Sequence, residues 1–392
     1  MATTTETKHV DSKPVELKHR VSRVGIEALS THLEAFEPSF PRRSFVRRAT
    51  QGLEDLELKA RIEHVADALT HSLPPDFDDA ARIIDGANTL RTSTRDQTHS
   101  RGPDQATDDG SAFAFWPLCT YVETRGLSRP DRALQTMHGL TQLASCEFAI
   151  RPYIERDQGR VLARLQRWAT DPNHHVRRLV SEGTRPRLPW GGRLRDLQAD
   201  PSPSLPLLET LFDDPELYVR RSVANHLNDI SKDHPQLAVD TATRWRRAKP
   251  TPEVDWVIRH ALRGLIKAGH PGALQLQGFG PPKIAVERFT ISPARLRLGG
   301  ALQLELELRA KTSQSLLIDY AVHHMKANGT LSPKVFKWTR REVLGAQSLT
   351  LTKTHSIRPI TTRRYHAGLH RVELLINGVS FGLREFELTG VG

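Results

Sequence analysis

Two arginine pairs stand at the same distance behind two Asp-Pro steps. Val176-Arg177-Arg178 follows Asp171-Pro172, and Val219-Arg220-Arg221 follows Asp214-Pro215, 43 residues further on. A guanidinium group matches phosphate oxygens two hydrogen bonds at a time, so arginines recurring once per repeat would line a surface suited to a polyanion. Arg151, Arg259 and Arg263 extend the series to either side. The stretch from Cys146 to Asp229 also places carboxylates among these cations, so the surface is not uniformly basic.

Helices must position these side chains. The residue before a proline is pushed out of the α region, while proline is tolerated at a helix start, so each Asp-Pro ends one helix and opens the next. A period near 40 residues with such an opening is the pattern of HEAT-type helical pairs. Apolar residues recur at helical spacing from Val21 to about Leu73, and again as Leu134/Met137/Leu140, Val161/Leu162/Leu165/Trp168 and Val257/Ile258/Ala261/Leu262. Trp168 and Trp256 fall on such apolar faces and are expected in the core. The segment Arg185–Pro206, rich in proline and glycine, breaks the rhythm, and a long insertion of this kind in a helical array points to function. Trp190 lies within it and is expected to be exposed.

The period then changes. Gly269 to Pro282 carries no charged residue and reads as a linker. Beyond it Leu302, Leu304, Leu306 and Leu308 alternate with polar residues, as in a half-buried strand. Further strands are expected around 285–291, 316–322, 334–338, 349–354, 369–376 and 380–388, with Asn377-Gly378 as a hairpin turn between the last two. Seven short strands in this space predict an immunoglobulin-like β-sandwich. The expected fold is therefore multidomain α + β: a tail over 1–20, an α-solenoid of HEAT-like repeats over 21–270, a linker over 271–282 and a β-sandwich over 283–392. Thr89–Gly110 reads as an exposed loop.

Composition agrees with a polyanion partner. The formal net charge is +11, and it is unevenly placed. Residues 1–120 carry 15 Lys and Arg against 19 Asp and Glu, residues 121–282 carry 24 against 18, and residues 283–392 carry 17 against 8. The basic excess thus grows towards the C-terminal end, which fits nucleic acid. No apolar run approaches a membrane span, and no signal segment opens the chain, so a cytoplasmic, nucleoid-associated protein without membrane contact is expected. Cys119 and Cys146 are too few for a disulfide framework or a cysteine metal site and read as buried thiols. The adjacent pairs His174-His175 and His323-His324 lack helical metal-site spacing, and no Gly-rich phosphate loop or Gly-x-Ser-x-Gly elbow occurs.

Several strings together resemble the HEAT-like repeat DNA glycosylases, in particular the AlkC-type alkylation repair proteins. They are Phe115-Trp116-Pro117, Tyr121-Val122-Glu123, Ser145 to Pro152, Asp171 to Leu179, Ser181 to Trp190 and Val219 to Asp229. The Glu182-to-Trp190 string is the specific part, whereas Val-Arg-Arg alone would fit many HEAT proteins. The C-terminal sandwich agrees with the domain that distinguishes AlkC-type members from shorter ones.

The resemblance implies a monofunctional glycosylase that excises 3-methyladenine and 3-methylcytosine from duplex DNA without rotating the base into a pocket. It implies no cofactor and no metal, and a monomer is expected. Glu147, Glu182 and Asp229 match the family's acidic positions. N-alkylation makes the base a cationic leaving group, so positive charge develops on the sugar as the bond breaks. A carboxylate can attract that charge and accept a proton from water. Glu182 is expected to do so first, Glu147 second and Asp229 third; the alternative for each is an ion pair that merely orders the surface. Trp190 is expected to stack on the lesion nucleotide or fill space beside the abasic site, or else to anchor its own loop. The expected phosphate contacts are Arg151, Arg177, Arg178, Arg220, Arg221, Arg259 and Arg263, with Arg340, Arg341, Arg363, Arg364 and His366 as a second DNA contact on the sandwich. A non-catalytic DNA-binding scaffold and a HEAT-type protein–protein adaptor are the competing functions.

Overall fold

The computed structural model describes residues 16–95, 111–361 and 363–391. Two compact units divide between His226 and Leu227. Of the expected tail, residues 1–15 lie outside the described residues, and Leu17–Arg20 already form a 3-10 turn. Of the expected loop at 89–110, residues 96–110 lie outside them, and residues 89–95 finish the helix Phe77–Arg95 instead.

The first unit is an array of helices whose starts are set by local chemistry. Asp157 caps Gln158–Trp168 by accepting from the Arg160 amide, and Asn173 caps His174–Gly183 by accepting from the His175 amide at 2.8 Å. Each helix then buries a stripe at 3.6 spacing: Val161, Leu162, Leu165 and Trp168 in one, Val176, Leu179 and Val180 in the other. Adjacent repeats are joined by a polar ladder. Asp171 accepts from His138 Nε2 at 2.7 Å, and Asp214 accepts from Arg177 at 2.6 and 3.0 Å. Cys119 and Cys146 are free buried thiols with sulfurs 3.1 Å apart.

The second unit begins within the helix Leu217–Ile230 and continues through Pro235–Ala248, Pro252–Ala261, Arg263–Lys267 and Pro271–Leu276 before any strand appears. The stretch read as a linker is therefore built structure. Its helix Pro271–Leu276 buries Leu274, and Leu274 and Phe279 pack against Leu317 of the sandwich. The strands are β1 (Ile284–Ser292), β2 (Arg295–Arg297), β3 (Ala301–Ala310), β4 (Gln314–Met325), β5 (Leu331–Val343), β6 (Ser348–Ser356), β7 (Gly368–Ile376) and β8 (Val379–Thr389). They form one sheet in the order β1-β3-β6 and a second in the order β2-β8-β7-β4-β5.

The four leucines of β3 are fully buried between the sheets, as their alternation predicts. Asn377 and Gly378 both adopt positive φ, +47° and +76°, which a tight two-residue hairpin turn requires. The Asn377 side chain also clasps the chain around it. Its oxygen accepts from the Leu317 amide at 2.7 Å, and its amide donates to the carbonyls of Gly280 (2.7 Å) and Ser315 (3.2 Å). Gly269, at φ +77°, lies so close to Gly378 that a side chain on either would meet the other's backbone.

Candidate active site

Glu182 is the penultimate residue of the helix His174–Gly183, turned inward at the end of the stripe that buries Val176, Leu179 and Val180. It is only 6% exposed, and its carboxylate is held by polar partners. One carboxylate oxygen accepts from Arg185 at 2.7 Å and lies 3.4 Å from Arg178, while the other accepts from the Ser222 hydroxyl at 2.6 Å. Burial alone would raise its pKa; Arg178, Arg185 and Ser222 outweigh burial and leave it below the usual glutamate value. Glu182 is therefore a buried carboxylate held in its ionised form at neutral pH.

Arg178 joins this carboxylate to a second one. Its Nη1 donates to the Glu147 carboxylate and, at 2.8 Å, to the Ser145 hydroxyl, which in turn donates to Glu147 at 2.7 Å. The guanidinium of Arg178 lies over the Tyr218 ring, its Cζ 5.1 Å from the ring centre. Two of the three expected carboxylates thus share one cation. Asp229, the third, lies in the second unit, 1% exposed, and accepts from Lys232 at 3.0 Å.

Trp190 follows in the loop after the helix. Its side chain is 61% exposed, and its backbone holds φ +67°, a left-handed conformation that costs a bulky residue of order 1–3 kcal/mol. Two cations hold that loop in place. Lys59, from the helix Leu58–Thr70, donates to the Trp190 carbonyl. Arg151 donates to the carbonyls of Gly183 (3.0 Å), Arg185 (2.9 Å) and Gly192. Glu182 and Trp190 are thereby tied to one frame.

The arginines expected on phosphates divide sharply. Arg151 is 4% exposed and turned onto backbone carbonyls, a positioning arrangement and not an outward one. Arg177 is committed to Asp214, and Arg178 to Glu147 and Glu182. Arg220 donates to the carbonyls of Asp214 and Pro215. Arg221 is exposed. In the second unit Arg259, Arg263, Arg340, Arg341 and Arg364 are exposed and Arg363 is half-buried. Arg340 rests over the Phe279 ring at 4.9 Å. Trp168 is buried as expected, and Trp256 is half-buried, stacked on His260.

Sequence reasoning missed Arg185, Ser222, Ser145 and Tyr218. Ser222 had a signal: it stands 40 residues after Glu182, about one helical turn short of the 43-residue repeat, where stacked repeats bring side chains together. Tyr218 had none, since the first repeat carries His175 at the same offset from its Asp-Pro.

No group of three or more metal-binding side chains occurs among the described residues, and no described helix is long and apolar enough to cross a membrane. The helical array and the eight-stranded domain define a HEAT-like repeat protein with an immunoglobulin-like C-terminal domain. Residues 285–390 match the family described as the C-terminal Ig-like domain of the uncharacterised protein YhaZ. Over 368 residues the chain is 36% identical to YhaZ of Bacillus subtilis, covering 93% of this chain and 96% of that one. Its fold matches the alkylpurine DNA glycosylase AlkC of Pseudomonas fluorescens, solved on DNA containing an abasic site analog. That match has a TM-score of 0.80 and 34% identity, over 95% of this chain and 99% of the other. The chain belongs to the AlkC family.

Proposed function

We propose that this protein is a monofunctional DNA glycosylase that removes cationic N-alkylated bases, 3-methyladenine and 3-methylcytosine among them, from duplex DNA without rotating the base into a pocket. The likeness to AlkC, a glycosylase solved on abasic DNA, supports the reaction class. The observation that carries the reading is Glu182, an ionised carboxylate buried inside a protein of net positive charge.

The chemistry needs that group. As the N-glycosidic bond breaks, its electron pair returns to the alkylated base, which departs neutral, and positive charge builds on the sugar. A fixed negative charge nearby stabilises that state without reorganising at the moment of reaction. Water then bonds to C1′ and loses its proton. Glu182 is a weak base because its pKa is depressed, so its main contribution is electrostatic, with proton acceptance following once the water oxygen has bonded and become acidic. A carboxylate oxygen has two lone-pair directions, so the oxygen that accepts from Ser222 keeps one for that water. Trp190 offers an exposed indole that can stack on the lesion nucleotide or occupy the space left by the base. Arg221, Arg259, Arg263, Arg340, Arg341 and Arg364 are the exposed cations suited to phosphate.

The test is release of 3-methyladenine from methylated duplex DNA. Glu182→Gln should lower the single-turnover rate by about 10²–10³-fold, the scale of losing one preorganised electrostatic group, while DNA affinity stays within a few-fold. Trp190→Ala should lose about tenfold or more, the scale of one stacking contact. Equal DNA binding by wild type and Glu182→Gln with no base released by either would leave a non-catalytic scaffold.

A further inference from the structure

The first unit holds a cleft of about 480 Å3 whose chemistry runs against the rest of the protein. Three helical stripes line it. Lys59, Ile62 and Glu63 come from the helix Leu58–Thr70; Trp116, Thr120, Glu123 and Thr124 come from Ser111–Arg125; Phe148, Arg151, Pro152 and Glu155 come from the turn and helix around Arg151–Arg156. Trp190, Gly191 and Gly192 close one side. The spacings place the first two stripes each on one helix face, and the third runs from the turn at Phe148 into the helix Arg151–Arg156, so the cleft is a consequence of the repeat packing.

Its walls are flat and its charge is negative. The rings of Trp116 and Phe148 stack at 5.5 Å with 12° between their planes, and Phe113 meets the Trp116 edge at 5.8 Å. The strained, exposed Trp190 stands at the rim. Three carboxylates, Glu63, Glu123 and Glu155, face two cations. Both cations are already donating to carbonyls of the Trp190 loop, Lys59 to Trp190 and Arg151 to Gly183, Arg185 and Gly192. A phosphate would be repelled here, in a chain whose formal net charge is +11. A neutral apolar ligand would leave the one carboxylate in excess of the two cations without a counter-charge. Burial, and then Glu63, push the Glu123 carboxyl above its ordinary value against the opposing pull of Lys59. Aromatic faces bind cations through their electron-rich surfaces, and flat faces select flat ligands.

We propose that this cleft binds a planar heteroaromatic monocation, specifically an N-alkylated purine or pyrimidine as the nucleobase or nucleoside, between its aromatic walls and the Glu63/Glu123/Glu155 carboxylates. The choice of an alkylated base over other planar cations rests on the glycosylase reading; the preference for a flat cation rests on the cleft alone. A volume of about 480 Å3 lies within the range of small-molecule sites and admits a nucleoside.

The test uses the full-length protein without DNA. 1-Methyladenosine, a cation at neutral pH, is titrated by calorimetry with tryptophan fluorescence as a second readout, against neutral adenosine. Saturable binding of 1-methyladenosine is expected, with adenosine at least about tenfold weaker, as loss of a desolvated cation–π contact implies. Glu123→Gln, which keeps the shape and removes the charge, should bring the two affinities together. Trp116→Leu should weaken both nucleosides, with circular dichroism confirming that the variant is folded. No saturable binding, or equal affinity of the wild type for both nucleosides, overturns the proposal. Base release from methylated DNA is measured separately. Release without nucleoside binding sinks the cleft and leaves the glycosylase; binding without release sinks the glycosylase and leaves a cation site.

Discussion

The two copies of the Asp-Pro…Val-Arg-Arg sequence share one half of their chemistry and diverge in the other. In both, the first arginine folds back on its own turn: Arg177 donates to the carbonyls of Asp171 and Pro172, and Arg220 to those of Asp214 and Pro215. The second arginines part ways. Arg178 is enclosed by Glu147, Glu182 and Tyr218, while Arg221, at the same offset, is exposed. Where the first copy has Glu182, the second has Asn225. The repeat thus supplies a scaffold with one conserved structural arginine per copy, and the site is grafted onto the position that the scaffold leaves open.

The sharpest way to break this asymmetry is Arg178→Met, which keeps bulk over Tyr218 and removes the charge. It leaves Glu147 and Glu182 without their shared cation, and breaking a buried ion pair typically costs about 3–5 kcal/mol. Denaturant midpoints should fall accordingly, with base release reduced beyond what the lost stability explains. The pH dependence should change as well. In the wild type Glu182 is held below the usual glutamate value, so its stabilising charge is present above about pH 4.5 and is lost only as pH falls through the depressed folded value. Without Arg178, burial opposes ionisation with less to offset it, and the acid limb of the rate profile should move to higher pH. An unchanged acid limb would mean that Arg185 and Ser222 hold the charge by themselves.

The first arginines offer the intermediate case. Arg177 differs from Arg220 in also reaching the next copy, where Asp214 accepts from it twice. A double-mutant cycle of Arg177→Met and Asp214→Asn should give a coupling energy of about 1–3 kcal/mol, as for contacting residues in a buried network. The effect should appear in unfolding, with base release per folded molecule little changed. A coupling near zero would show that the repeats stack through their apolar stripes alone.

Which arginine faces inward was not legible before the structure, and the reason is physical. A guanidinium on a helix reaches several directions, and its choice depends on a carboxylate far away in sequence: Glu147 lies 31 residues before Arg178, and Asp214 lies 37 after Arg177. Local pattern carries no such information. The same limit explains the stretch Gly269–Pro282, where the absence of charge suggested a linker but Leu274 and Phe279 are buried by Leu317, on a strand yet to come. The three residues of β2 are too short to show a period, and they pair in parallel with β8, from the far end of the domain. By contrast, the β3 leucines and the Asn377-Gly378 turn are local devices, and each was readable, whereas the helices expected to open at Pro172 and Pro215 begin two residues later, at His174 and Leu217. Glu182 and Trp190 were singled out as candidates through resemblance; the clamp around them and the backbone strain at Trp190 came only with the fold.

Arg221 gives the smallest effect and the cleanest one. Arg221→Ala removes an exposed cation, so stability should stay within about 0.5 kcal/mol. If this arginine serves DNA, a plot of log affinity against log salt should lose about one unit of slope, since each phosphate neutralised releases close to one counterion. The single-turnover rate on saturating DNA should not move, because the charge acts on binding and not on the sugar. Loss of slope with an unchanged rate would complete the division between the copies: one second arginine turned inward to hold carboxylates, its counterpart turned outward to hold the backbone. An unchanged slope would assign the DNA surface elsewhere, to the exposed arginines of the second unit.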